Sequence, residues 1–377
     1  MSRRNRFEHL AAPGVRSLKP YVPGKPHSKL ERELGIKDSI KLASNENPLG
    51  PGSLARAALA DALAGVGHYP DGSGHALREK LARLHGVDIA QVTLGNGSND
   101  ILVLLVESFL VPGVEAIHAQ YAFAVYPAAI QASGATARVA PARPAHAAQP
   151  LGHDPAAIAA AIVPRTRMIL VANPNNPTGT WLDGDELEAL LKAIPEDVIV
   201  VLDEAYHEYS APLGVPDGVR WLERHPNLVV TRTFSKAFGL AGLRIGYALS
   251  HPDVANIINR VRQPFNVSVP GLAAAAAALD DHAHLDATLN LNRAGIEQLR
   301  AGLAALRIGA PPSAGNFVLA DFGRPAAGID ESLLRSGVIV RPVDNYGLPN
   351  HLRITTGTSA QNDRLLSAMA SALAAAR

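Results

Sequence analysis

The chain has no cysteine among its 377 residues, which excludes disulfides and thiolate metal sites and fits a reducing compartment. Charge is sparse and nearly balanced: 35 Lys and Arg against 34 Asp and Glu leave a formal net charge of +1. No field suited to nucleic acid or to a membrane surface follows from that balance. Long apolar runs are missing too. Stretches such as 101–106 and 272–279 fall far short of the roughly 20 residues that cross a bilayer. The opening MSRRNRFEHL has basic residues with no apolar core behind them, so it does not read as a secretory signal. A cytoplasmic protein is expected, its partners small molecules or copies of itself, with no nucleic acid and no membrane.

What is present is a globular composition, 47% hydrophobic, in a chain long enough for about two compact units. Residues 1–45 read as an extended arm, with KPYVPGKPHSKL rich in proline and one short helix near 29–34. A large unit over 46–270 and a smaller α+β unit over 271–377 are expected. Within the large unit, strands are expected at 92–94, 115–118, 136–139, 168–172, 198–202, 227–231 and 245–249, with helices between several of them. The runs MILVA and VIVVL lack polar alternation, so both faces should be covered, as in a mainly parallel sheet wrapped by helices. In such sheets ligands bind at the carboxyl ends of strands.

The unusual residues fall at those ends. After 168–172 comes NPNNPTG, a rigid turn that fixes Asn176. After 198–202 comes DEAYHEY, in which one helical turn would put Asp203 and Tyr206 on one side. After 227–231 comes SKAFGLAGLR, where Phe234, Ala237 and Phe238 flank Lys236 and could desolvate its amine. Ser235 and Arg244 suit a grip on one phosphate. GNGSND places the amides of Ser98 and Asn99 between a strand and a helix N-terminus, a second anion site, although GNG is also an ordinary tight turn. Each of these has a plain structural alternative: a turn, a helix cap, a basic loop. Their convergence at three successive strand ends favours a site. Arg341 and Arg353 lie near strand ends of the smaller unit and suit acidic groups, or are edge arginines. His282 and His284, two apart, diverge on a helix, and no metal site is expected.

NPNNPTG, DEAY and SKAFGLAGLR, in that order, resemble the fold-type I pyridoxal-phosphate aminotransferases over nearly the whole chain. KPYVPGKP, NENPLGP, HYPDG and GVIVRPVDNYGLPNHLRITTGT are similar to the histidinol-phosphate aminotransferases among them. The resemblance implies pyridoxal 5'-phosphate as cofactor, bonded to Lys236, which would then move a proton as general base and acid. It implies Asp203 at the pyridine nitrogen, Asn176 and Tyr206 at the ring oxygen, and Tyr121 stacked on the ring. Ser98, Asn99, Ser235 and Arg244 would hold the phosphate, with Tyr69 reaching it from the second subunit of a homodimer. Arg353, helped by Arg341, would bind the substrate anion, and Tyr21 would lie near the imidazole. His118-Ala119-Gln120 departs from the proline-threonine that precedes the stacking aromatic in this family.

The reaction so implied is transamination between histidinol phosphate and 2-oxoglutarate, giving imidazole-acetol phosphate and glutamate. An aromatic amino-acid aminotransferase and a threonine-phosphate decarboxylase would use the same cofactor residues. A cofactor-binding regulator without catalysis would need a DNA-binding module, for which the stretch before residue 40 is too short.

Overall fold

The computed structural model describes residues 7–20 and 24–375. Its strands, in chain order, are β1 (Ile40–Lys41), β2 (Val92–Gly95), β3 (Glu115–Ala119), β4 (Thr136–Ala140), β5 (Thr166–Ala172) and β6 (Ile199–Asp203). They continue with β7 (Leu228–Thr233), β8 (Gly246–Ser250), β9 (Phe317–Asp321), β10 (Val338–Ile339), β11 (Arg341–Pro342) and β12 (His351–Thr355). Seven strands form the main sheet, in the order β2-β8-β7-β6-β5-β3-β4. Only β8 runs against the others. The expected α/β class, a mainly parallel sheet wrapped by helices, is borne out.

Alternate residues of each central strand enter two different cores. Ile169, Val171, Val200, Leu202, Leu228 and Val230 pack in one, with Trp221, Phe234 and the helix Gly184–Ala193. Met168, Leu170, Val201 and Val229 pack in the other, with the helices Ser98–Phe109 and Val125–Ser133. Period-two geometry thus explains the missing polar alternation in MILVA and VIVVL, since neither face meets water.

A second layer is built on the antiparallel sheet β11-β12-β9 and the parallel pair β1-β10. Its core gathers Leu42, Leu299, Val318, Leu333, Ile354 and Met369. The expected boundary at 270/271 falls inside the helix Val269–Ala278, whose Ala274, Ala275 and Ala278 join the first core. β1 lies within the expected arm and pairs with β10. Among the described residues no helix is long and apolar enough to cross a membrane.

One buried ionic cluster ties β6 to β7. Arg232 Nη2 lies 2.7 Å from Glu204 Oε2 and 2.5 Å from Asp217 Oδ1, and both Arg232 and Glu204 are buried. Burial pushes the Glu204 carboxyl up to about 7 in spite of the arginine. Among the described residues Glu204, His207 and Asp217 are close enough to share a metal, but Arg232 already pairs with both carboxylates. Arg232→Met leaves Glu204 enclosed without its counter-ion. We expect a loss of about 3–5 kcal/mol, read as a lower urea midpoint at neutral pH.

Candidate active site

Because β2, β5, β6 and β7 run parallel, their carboxyl ends meet along one edge of the sheet. The reversed β8 brings its start, and Arg244 just before it, to that same edge. Register fixes the alignment: Ala172 pairs with Asp203, Asp203 with Thr231, and Thr233 with Gly246, which also faces Gly95. A cavity of about 290 Å3 opens there, lined by Ser98, Asn99, Asn176, Asp203, Tyr206, Ser235, Lys236 and Arg244, with Ser44, Glu46 and Phe123.

One end of the cavity is built for an anion. Gly97, at a φ of 88°, caps the helix Ser98–Phe109 and lets β2 turn into it. Ser98 and Asn99 stand in the first turn, where amides have no acceptor within the helix. A Cβ on Gly97 would overlap the Arg244 guanidinium, and one on Gly246 would strike the Ser98 nitrogen, so both glycines permit this close approach. Arg244 Nη1 donates to Ser235 Oγ at 3.3 Å and to the Ala241 carbonyl at 3.0 Å. Amides, hydroxyl and guanidinium therefore converge, the donor set that a phosphate monoester needs.

Two strands along the row, Asp203 is buried with both oxygens engaged. Tyr126 Oη donates to Oδ2 at 2.9 Å, and Thr231 Oγ1 donates to Oδ1 at 3.1 Å. Burial raises the Asp203 carboxyl above its usual range, while these two hydroxyls pull it back down. Tyr206 Oη accepts from Asn45 Nδ2 at 2.8 Å, which frees its own proton for donation. Burial pushes that phenol up to about 12. Asn176 Oδ1 accepts from Arg353 Nη1 at 2.5 Å, and Arg353 Nη2 reaches the Ala43 carbonyl at 2.6 Å. Thus β12 of the small sheet delivers a guanidinium to the edge of the large one.

Lys236 follows β7, between the anion cradle and the carboxylate. Its Nζ donates to the Ser44 carbonyl at 3.2 Å. Burial, with the Arg353 charge second, lowers the amine from its usual range to about 8. The neutral amine is the nucleophilic form, so covalent capture of an aldehyde by the protein should accelerate with pH and level off just above 8. An unperturbed lysine would keep rising past 10. Stopped-flow absorbance across pH 6.5–10 checks this.

The model of the family "Aminotransferase class I and II" matches residues 37–369. The chain belongs to the class I and II aminotransferases. It is 55% identical to histidinol-phosphate aminotransferase 2 of Pseudomonas fluorescens strain Pf-5 over 98% of this chain and 99% of that protein. It is 54% identical to histidinol-phosphate aminotransferase 2 of Pseudomonas aeruginosa, again over 98% of this chain and 99% of that one. Among solved structures it is similar to histidinol-phosphate aminotransferase from Sinorhizobium meliloti in complex with pyridoxal-5'-phosphate. That likeness has a TM-score of 0.90 and 29% identity, covering 100% of both chains.

In this aminotransferase, eight of the residues singled out by sequence line one cavity, and Arg353 touches it through Asn176. Arg341 lies opposite Arg353 in the β11-β12 pair. Tyr121 is absent from the residues lining this cavity. Its side chain packs beside Leu319, Val343 and Leu348, and Phe123, two residues on, lines the cavity. The turn after β3 is closed by the Ala122 amide on the Ala119 carbonyl. Tyr69 does not line this cavity; it is 82% exposed and stacks on Phe265 at 4.7 Å. Tyr21 lies outside the described residues. Sequence reading missed Ser44, Asn45 and Glu46, for which the polar cluster SNEN, two residues past β1, was the available signal. It also missed Tyr126, a helix residue that no spacing distinguishes.

Proposed function

We propose that the chain catalyses transamination between L-histidinol phosphate and 2-oxoglutarate, a step of histidine biosynthesis, with pyridoxal 5'-phosphate held by the cavity just described. One observation carries the reading: a lysine amine lowered to about 8 shares a 290 Å3 cavity with a buried carboxylate and a convergent phosphate cradle. The donor chemistry fits that cofactor, since each polar feature of the substituted pyridine has a counterpart among these residues. When bound, the cofactor supplies an electron sink for the charge left when the substrate Cα loses a proton.

Every other part of the work belongs to the chain. Ser98, Asn99, Ser235 and Arg244 hold the phosphate and fix the orientation. Asp203 holds a proton on the pyridine nitrogen, and Tyr206 and Asn176 donate to the ring oxygen. Tyr121 would stack on the ring, and Phe123, which lines the cavity, would exclude water. Lys236 would attach the cofactor and, once the substrate amine had displaced it, its free amine would take the proton from Cα and deliver it as general acid to the cofactor carbon that bore the aldehyde. Arg353, with Arg341 beside it, binds the anion of each substrate in turn: the α-carboxylate of glutamate or the phosphate of histidinol phosphate. A planar, permanently charged guanidinium pairs with either.

The assembly we propose is a cytoplasmic homodimer. Leu54, Leu63, Val66, Tyr69 and Phe265 are exposed apolar side chains that a second copy would cover, and Tyr69 would reach the phosphate of the partner site. Coupled assays with histidinol phosphate, phenylalanine and threonine phosphate test the substrate. The first should give the highest kcat/KM; no turnover of it would overturn the assignment in favour of the aromatic or decarboxylase alternatives.

A further inference from the structure

Arg353 answers for the anionic end shared by the two substrates but leaves their side chains unread. Histidinol phosphate presents an imidazole, whereas glutamate and 2-oxoglutarate present a second carboxylate. One site must satisfy both without leaving a charge unpaired.

The carboxylates lining the cavity are Asp203 and Glu46. Asp203 is committed to Tyr126 and Thr231. Glu46 is not committed in this way. Its side chain is 48% exposed and its Oε1 meets Lys41 Nζ at 2.9 Å. Glu46 also forms the wall between this cavity and an adjoining one of about 360 Å3, which Lys41, His27 and Thr355 line. The residues on either side are anchored: Asn45 N donates to Thr355 Oγ1 at 2.9 Å, and the Asn47 side-chain Nδ2 donates to the Ala237 carbonyl at 2.9 Å. Both charges are felt at the Lys236 amine, Glu46 favouring its protonated form and Lys41 opposing it, which places the pair near the reacting atoms.

Resting on the reading under Proposed function, we infer that the Lys41–Glu46 pair selects the substrate side chain. Glu46 accepts a hydrogen bond from the imidazole of histidinol phosphate, and Lys41 pairs with the distal carboxylate of glutamate or 2-oxoglutarate. The pair presents an acceptor and a donor together and is neutral as a unit. Either substrate can therefore take one member while the other turns to water. The Glu46 side chain is 48% exposed against 19% for Lys41, so solvent screens the pair from the Glu46 side and the carboxylate exchanges partners at modest cost.

The test is steady-state kinetics of the holoenzyme, with cofactor content matched by absorbance. Glu46→Gln should raise KM for histidinol phosphate about tenfold, the scale of one charge-assisted hydrogen bond. It should lower KM for glutamate, because Lys41 is released. Lys41→Met should do the reverse. Opposed shifts support the selector, and a merely structural role does not produce them. Parallel shifts in both substrates, or none, overturn it. A wild-type enzyme that turns over glutamate but not histidinol phosphate overturns the substrate reading itself, a result distinct from parallel shifts.

Discussion

Lys236→Ala should lower kcat for transamination by at least about 10⁴-fold, since one substitution removes both the covalent attachment point and the group that carries the Cα proton. Compensation by a neighbour is not expected. Lys41, the other lysine whose charge reaches this amine, lines the adjoining cavity and pairs with Glu46. The amine lowered to about 8 belongs to Lys236, whose position after β7 puts it between the phosphate cradle and Asp203. Hydride reduction of the wild-type holoenzyme, followed by digestion and mass spectrometry, should place the cofactor tag on the peptide containing position 236. The alanine variant should lose that tag while Ser98, Ser235 and Arg244 still retain the cofactor weakly. A tag on another lysine, or a kcat within tenfold of wild type, would sink the assignment.

The sheet and much of the site were legible because two signals coincided in the chain. Uninterrupted apolar runs marked strands buried on both faces, and the residues after them were the chemically unusual ones. Asn176, Asp203 and Lys236 follow β5, β6 and β7 for that reason, and parallel neighbours bring their ends together. Arg244 was found through its motif, but its position depends on the reversal of β8. A local pattern does not encode that reversal, because strand direction is settled by which neighbour the strand joins.

What escaped notice shares a physical cause. Phe123 and Tyr121 both suit a stacking role by type, and Phe123, which no motif singled out, lines the cavity. Asn45 bonds to Tyr206 across 161 positions of chain, and Tyr126 bonds to Asp203 across 77. Such long-range partners carry no spacing signal. The helix Val269–Ala278 is a run of alanines with no polar alternation to say what it packs on. Its small side chains instead let it pack closely on the helix Ser53–Ala62 and tie the first core to the chain leaving it.

Asp203→Asn should cost about 10²–10³-fold in kcat, the scale of losing one preorganised electrostatic contact, with a smaller change in KM. An amide carries no charge with which to hold a proton on the pyridine nitrogen, although its size is unchanged. Tyr126→Phe tests the same carboxylate from behind. The Tyr126 phenol is buried, its ionisation pushed well above the ordinary range, so its O–H acts as a donor to Asp203 throughout the working pH range. A donor of this kind favours the ionised carboxyl; without it, the burial that already raises the Asp203 pKa is less opposed, and the carboxyl protonates at higher pH. The acid limb of the kcat profile should therefore move up, by as much as about one pH unit, with a loss near fivefold at neutral pH. Thr231 still donates to the other oxygen, which keeps the effect of Tyr126→Phe below that of Asp203→Asn. An unshifted acid limb in the phenylalanine variant, or an asparagine variant within tenfold of wild type, would remove Asp203 from the chemistry and leave it a structural carboxylate.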